Sequence, residues 1–171
     1  MCGIVGYVSK ADVDNADHSA LDVVLSGLKR LEYRGYDSAG VALVTPAGDL
    51  ETAKKAGKLS ALTDELAANP LPNAQTGIGH TRWATHGGPT DLNAHPHVAD
   101  GGKLALIHNG IIENFAQLKR DLTADGVEFQ SETDTEVAAA QLAKNFQSTG
   151  DLTQAMRVTA TPLEGAFTLL A

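Results

Sequence analysis

The only cysteine of this 171-residue chain is Cys2, directly behind Met1. Loss of Met1 makes Cys2 a residue that carries a thiol and a free α-amine together. A thiol of ordinary pKa about 8.5 then sits beside an amine of about 7.7 to 8.0, and an amine in that range takes up a proton near neutral pH. Such a residue activates its own nucleophile without a histidine or a buried carboxylate, as an N-terminal amine does for a threonine hydroxyl. With Met1 attached, the amine belongs to the wrong residue. The plain alternative is that Cys2 is a small buried hydrophobe in an ordinary strand with Ile4, Val5, Tyr7 and Val8.

Other stretches offer chemistry, each beside a structural alternative. Arg82-Trp83-Ala84-Thr85-His86-Gly87-Gly88-Pro89 sets an arginine before a glycine-rich loop, an arrangement that can clamp a carboxylate in bidentate fashion under a movable lid. Arg82 could equally be a surface ion-pair partner and Trp83 core filling. Asn109-Gly110 between two apolar runs is a hairpin signal. It also suits an oxyanion hole, with the Asn109 amide and the Gly110 N–H aimed at a developing negative charge. Asp134 at a helix start could be a cap or a carboxylate fixed to bind a substrate ammonium group. His95-Pro96-His97 with His80 and His86 raises a metal reading, weakened because Pro96 separates a pair that lacks further ligands at zinc spacing. Gly57-Lys58 lacks the glycine spacing of a phosphate loop.

The elements that must position these residues are readable from periodicity. Residues 3–8 read as a strand and Lys10 to Asp17 as a polar loop. Leu21, Val24, Leu25, Leu28 and Leu31 recur at helical spacing, with Asp17 or Ser19 as N-cap and an end near Tyr33. A small, polar loop from Arg34 to Gly40 leads into a strand from Val41 to Thr45. The turn at Pro46 to Asp49 predicts a hairpin into Leu50 to Lys55. Leu59, Leu62 and Leu66 mark a helix closed by Asn69-Pro70-Leu71-Pro72. A strand from Thr76 to Thr81 enters a long aperiodic segment, Arg82 to Gly102, of a length that is usually functional. The strand Lys103 to His108 follows, then a helix carrying Phe115, Leu118 and Leu122. Thr133-Asp134-Thr135-Glu136 is a capping-box pattern before a helix with Val137, Leu142 and Phe146. A helix over Leu152 to Thr161 and a strand within Gly165 to Ala171 close the chain. Strands and helices mix without strict βα alternation, so α+β layers are expected rather than a doubly wound sheet.

The length is one domain's worth, and 43% hydrophobic residues allow an ordinary core. A formal charge of -8, with no Lys/Arg cluster longer than Lys54-Lys55 or Lys119-Arg120, argues against a nucleic-acid partner. One cysteine cannot form an internal disulfide, which fits a reducing compartment. The apolar run after Cys2 is too short for a signal segment or a membrane span, so the expectation is a soluble, cytoplasmic protein.

Taken together, Cys2 to Gly6, Arg34 to Gly40, Gly79 to Gly87, Asn93 to His97, His108 to Asn114 and Ser131 to Glu136 resemble the class II glutamine amidotransferases. Tyr36, Trp83 to His86, His95-Pro96-His97 and Ile111-Ile112-Glu113 bring the likeness closest to the glutaminase domain of the glucosamine-6-phosphate synthase branch. The resemblance implies a four-layer αββα sandwich of the N-terminal-nucleophile hydrolase type, C-terminally truncated, with residues 1–171 an incomplete glutaminase domain. It implies that Cys2 attacks the amide of L-glutamine while its own amine relays the proton, with Asn109 and Gly110 as the oxyanion hole. Arg82 corresponds to the ligand of the α-carboxylate and Asp134 to that of the α-ammonium group. Trp83 to Gly87 match the closing loop, in which Thr85 and His86 add contacts. No cofactor or metal is implied for this half-reaction. The implied partner is a sugar-phosphate isomerase domain, with fructose 6-phosphate as ammonia acceptor in a homodimeric full-length enzyme. The Lys10 to Asp17 loop is longer than typical of the family but touches no matched position.

Overall fold

The structure is a computed structural model that describes residues 2–9 and 19–171. The predicted loop at Lys10 to Asp17, and with it the Asp17 cap, lies outside the described residues.

Four strands, β1 (Gly3–Val8), β2 (Ser38–Val44), β3 (Leu50–Ala56) and β4 (Thr76–Arg82), form one antiparallel sheet in the order β1-β4-β2-β3. A second antiparallel sheet, β5-β6-β7, is built from β5 (His97–Ala99), β6 (Leu104–Gly110) and β7 (Phe167–Leu170). Helices α1 (Ala20–Leu31) and α2 (Leu59–Ala68) cover the first sheet. Helices α3 (Phe115–Ala124), α4 (Asp134–Thr149) and α5 (Leu152–Ala160) cover the second. The result is the helix–sheet–sheet–helix order that the family resemblance implies.

Two apolar cores, each between helices and a sheet, hold these layers. Val24 and Leu28 of α1 and Leu59, Leu62 and Leu66 of α2 pack on Ala39 and Val41 of β2. On the other side, Leu104 and Leu106 of β6 meet Ala138, Ala139 and Leu142 of α4 and Ala155 of α5. Each wholly buried leucine contributes on the order of 1.5–3 kcal/mol by leaving water, so the outer layers hold the scaffold and the space between the sheets is free to be polar. Ser19 starts α1 with a reciprocal cap: its hydroxyl accepts the Asp22 N–H, and the Asp22 carboxylate accepts the Ser19 N–H.

Four local expectations need correction. The strand expected at Val41 begins at Ser38, because Ser38, Ala39 and Gly40 are buried between β4 and β3 and pair with both. Gly40 is required there by close approach, since a Cβ would lie 2.1 Å from the His95 carbonyl oxygen. The long segment read as aperiodic contains β5, three residues long and thus too short to show a period. Asn109-Gly110 is not a hairpin turn, for both residues end β6 and pair with Thr168 and Phe167 of β7. The box at Thr133 is only half formed: Thr133 accepts the Glu136 N–H, whereas the Glu136 carboxylate turns to the N–H groups of Gln130 and Ser131.

Candidate active site

Strand alternation decides which residues of β4 reach the site. Gly77 and Gly79 lie against α1, so Ile78, His80 and Arg82 point the other way, toward the second sheet. The Gly3↔Thr81 register sets Cys2 beside the end of β4, and the end of β6 in the second sheet and the start of α4 complete a crevice between the sheets. Cys2, Arg82, Trp83, Thr85, His86, Gly110 and Asp134 all line it, with His95, His108, Thr133 and Thr135. Asn109 adjoins it through a contact of its amide Nδ2 with the Cys2 carbonyl at 3.5 Å. The predicted residues, separated by up to 132 positions in the chain, are thus brought together.

Cys2 is half-buried. Its Sγ accepts the Trp83 N–H at 3.2 Å, and the thiol lies 3.6 Å from the Trp83 carbonyl oxygen. Trp83 therefore meets the sulfur with its backbone, and the residue is 55% exposed. Arg82 is 3% exposed and is held on two sides. Its NH1 donates to the Gly88 carbonyl at 3.2 Å and its NH2 to those of His86 and Gly87, while the Asp37 carboxylate stands 3.7 Å away. Asp37 also accepts the Ala84 N–H, so it ties the guanidinium to the base of the loop. Asn93 closes the other end, donating to the Gly88 carbonyl at 3.0 Å and accepting the Glu132 N–H.

Asp134 is buried, and it is the first residue of α4 rather than its cap; the cap is Thr133. One Asp134 oxygen accepts the Ile112 N–H at 3.0 Å and lies 3.6 Å from His86 Nδ1. The other faces His108 Nδ1 at 3.7 Å. The His86 ring rests edge-on against Phe115. The open volume of the crevice is about 10 Å³, room for one water at most.

A layer of histidines, among them the His80, His95 and His97 that raised a metal reading in the sequence, supports this crevice. His80 Nε2 lies 2.8 Å from Asn109 Oδ1, and the His80 and His95 rings stack at 4.3 Å. His95 Nε2 and His108 Nδ1 share the Thr135 hydroxyl at 2.8 and 2.9 Å, and His97 Nε2 meets the Thr133 hydroxyl at 2.9 Å. Burial pushes His80 down to about 4 and His97 to about 3, and holds His95 well below the ordinary range. His108 is lowered by burial against the pull of the Asp134 carboxylate. These imidazoles are neutral at pH 7, which leaves Arg82 and Asp134 as the buried charges of the crevice, one of each sign. That is the complement of an α-amino acid zwitterion. Among the described residues, no three His, Cys, Asp or Glu side chains are grouped as a metal site requires. Lys54, also outside the sequence reading, donates to the carbonyls of Leu92, Ala94 and Pro96 and so anchors the segment that carries His95 and His97.

The two helix-covered antiparallel sheets are the fold of the N-terminal-nucleophile amidotransferases. The family described as "Glutamine amidotransferase domain" matches residues 65–168, and the chain belongs to that family. Among curated relatives, the glutamine–fructose-6-phosphate aminotransferase (isomerizing) of Corynebacterium glutamicum is 63% identical over 173 residues, covering 100% of this chain and 27% of that protein. Its counterpart in Thermus thermophilus is 54% identical over 170 residues, covering 99% of this chain and 26% of the relative. The chain thus spans about a quarter of the length of the curated relatives it matches. Among solved structures, the glutamine phosphoribosylpyrophosphate amidotransferase from B. subtilis superposes with a TM-score of 0.75 at 28% identity, over 98% of this chain and 34% of that one. A structure titled as the allosteric regulatory enzyme of purine biosynthesis gives 0.76 at 30% identity, over 98% of this chain and 34% of that chain.

Proposed function

We propose that this domain hydrolyses L-glutamine to glutamate and ammonia through a γ-glutamyl thioester on Cys2. The observation that carries the reading is the convergence of Cys2, Arg82, Gly110 and Asp134 on one crevice. Arg82 exchanges its loop carbonyls for the substrate α-carboxylate, a charge-assisted bidentate partner, and Asp134 takes the α-ammonium group. The γ-carboxamide carbon then faces the thiol. Once Met1 is removed, the Cys2 amine accepts the thiol proton as the S–C bond forms, and the oxyanion meets the Asn109 amide N–H and the Gly110 N–H. The amine returns the proton to the departing nitrogen as the C–N bond breaks and ammonia leaves. Water attacks the thioester, releasing glutamate and restoring the thiol. Trp83 to Gly88, with Thr85 and His86 facing the crevice, form the lid over this sequence of steps.

The identity to the aminotransferases supports a finer reading, in which residues 1–171 are the ammonia-supplying part of a longer, homodimeric cytoplasmic enzyme. In that enzyme a sugar-phosphate isomerase domain aminates fructose 6-phosphate. No helix among the described residues is long and apolar enough to cross a membrane. The test is ammonia release from glutamine by protein lacking Met1, compared with Cys2→Ala. Turnover that is absent in the variant supports the reading. Glutamine binding without any ammonia, or equal turnover in Cys2→Ala, contradicts it, the former leaving a glutamine-sensing domain.

A further inference from the structure

A carboxamide is a rotor with donors at one end and an acceptor at the other, and its two flipped orientations fill nearly the same space. Only one of them presents an N–H toward the start of the chain. For Asn109 two contacts choose between them. Nδ2 faces the Cys2 carbonyl at 3.5 Å, and the reverse flip would set two acceptor oxygens against each other. At the far end, Oδ1 lies 2.8 Å from His80 Nε2. A carbonyl oxygen can only accept, so the imidazole donates through Nε2.

His80 is built to hold that orientation. It is wholly buried in the centre of the first sheet, opposite Ile4 of β1 and Gly40 of β2. Its ring stacks on His95, which is fixed in turn by the Thr135 hydroxyl beside Asp134. His80 does not itself line the crevice, and among the described residues the side chain that meets its Nε2 is that of Asn109. We propose that His80 is the positioning residue of the oxyanion site: its N–H claims Asn109 Oδ1 across the gap between the sheets and so keeps the amide N–H aimed at the carbonyl oxygen of the carboxamide attacked by Cys2. This rests on the reading of Cys2 as nucleophile and Asn109 as oxyanion donor, and adds to it a residue that never meets the substrate.

The test is a double-mutant cycle on the full chain, reading kcat and KM for glutamine hydrolysis and the affinity for glutamate. His80→Leu is expected to lower kcat roughly tenfold to a hundredfold with glutamate affinity nearly unchanged, since Arg82 and Asp134 still bind it. His80→Gln, which keeps an N–H near the position of Nε2, recovers part of the loss. Asn109→Ala loses about 10²- to 10³-fold, and adding His80→Leu to it causes no further loss, because no amide remains to be oriented. A wild-type kcat in His80→Leu, or losses that simply add in the double variant, overturns the role of His80 alone. A wild-type kcat in Asn109→Ala overturns the oxyanion assignment beneath it. If His80→Leu does not fold, the cycle runs with His80→Asn, whose shorter amide stays polar but falls short of Asn109, and the same non-additivity decides.

Discussion

The Cys2 thiol accepts the backbone N–H of Trp83 at 3.2 Å, so the sulfur is held by the residue that follows Arg82. The pairing of β1 with β4 therefore delivers two things at once, the proposed nucleophile and the cation that would receive the substrate carboxylate. Because Cys2 directly precedes β1 and Arg82 ends β4, two strands paired along their length, their separation is set by sheet register rather than by the loop between them.

Arg82→Lys is expected to raise KM for glutamine by roughly ten- to a hundredfold, the effect of losing charge-assisted bonds in a buried site, with a smaller change in kcat. Lysine keeps the charge but cannot form a fork to one carboxylate while remaining near Asp37. Steady-state kinetics of the variant check this; an unchanged KM would move the carboxylate site elsewhere.

Asp134→Asn separates binding from folding. The amide oxygen can still accept the Ile112 N–H, and Thr133 still caps α4, so denaturant stability should change by less than about 1 kcal/mol. Glutamine and glutamate affinity should fall by about tenfold or more, as expected when one partner of a charged pair becomes neutral. Calorimetry and urea unfolding, run together, give both numbers.

Gly110→Ala tests the backbone at the oxyanion site. Gly110 has φ +113°, and an added Cβ would lie 2.1 Å from the Ala166 carbonyl oxygen. Backbone strain and overpacking together should cost about 2–5 kcal/mol, and Gly88→Ala, which meets nothing nearby, serves as the control. Thermal unfolding of the two variants should differ clearly.

Acid should loosen the domain before it protonates most carboxylates. His80 and His97 titrate near 4 and 3 when folded and near 6.5 when unfolded. Between those values the unfolded chain binds more protons, so stability is full above pH 6.5 and is lost as pH falls toward 4. The slope is about 1.4 kcal/mol per pH unit for each such histidine. Urea midpoints at pH 7, 6 and 5 measure it, and His97→Gln should flatten the slope.

The sequence carried the residues of the crevice more fully than the residues behind it. Cys2, Arg82, Asn109 and Asp134 each sit in a short block that offers chemistry beside a structural alternative, the blocks in order carry the family resemblance, and strong apolar periodicity located the helices. His80, His95, His97 and His108 offered no such signal, because a histidine in a chain reads alike as ligand, core or switch. Their meaning comes from β4, β6, the segment before β5 and the start of α4 meeting between two sheets, which no local spacing records. The same reason hid the start of β2: Ser38-Ala39-Gly40 looks like a loop, yet Gly40 lacks a side chain because the His95 carbonyl presses on it from the neighbouring layer, and Ala39 packs under the helices on the other face. Asp37 was missed as an anchor of Arg82 because its partners lie 45 and 47 positions away.

The most direct test is the site of covalent modification. Protein whose intact mass shows Met1 removed is exposed to a glutamine-like electrophile and mapped by peptide mass. The account predicts one adduct per chain, on the Cys2 sulfur, suppressed by excess glutamine. A Met1-free protein that binds glutamine and yet carries no label on Cys2 would contradict it.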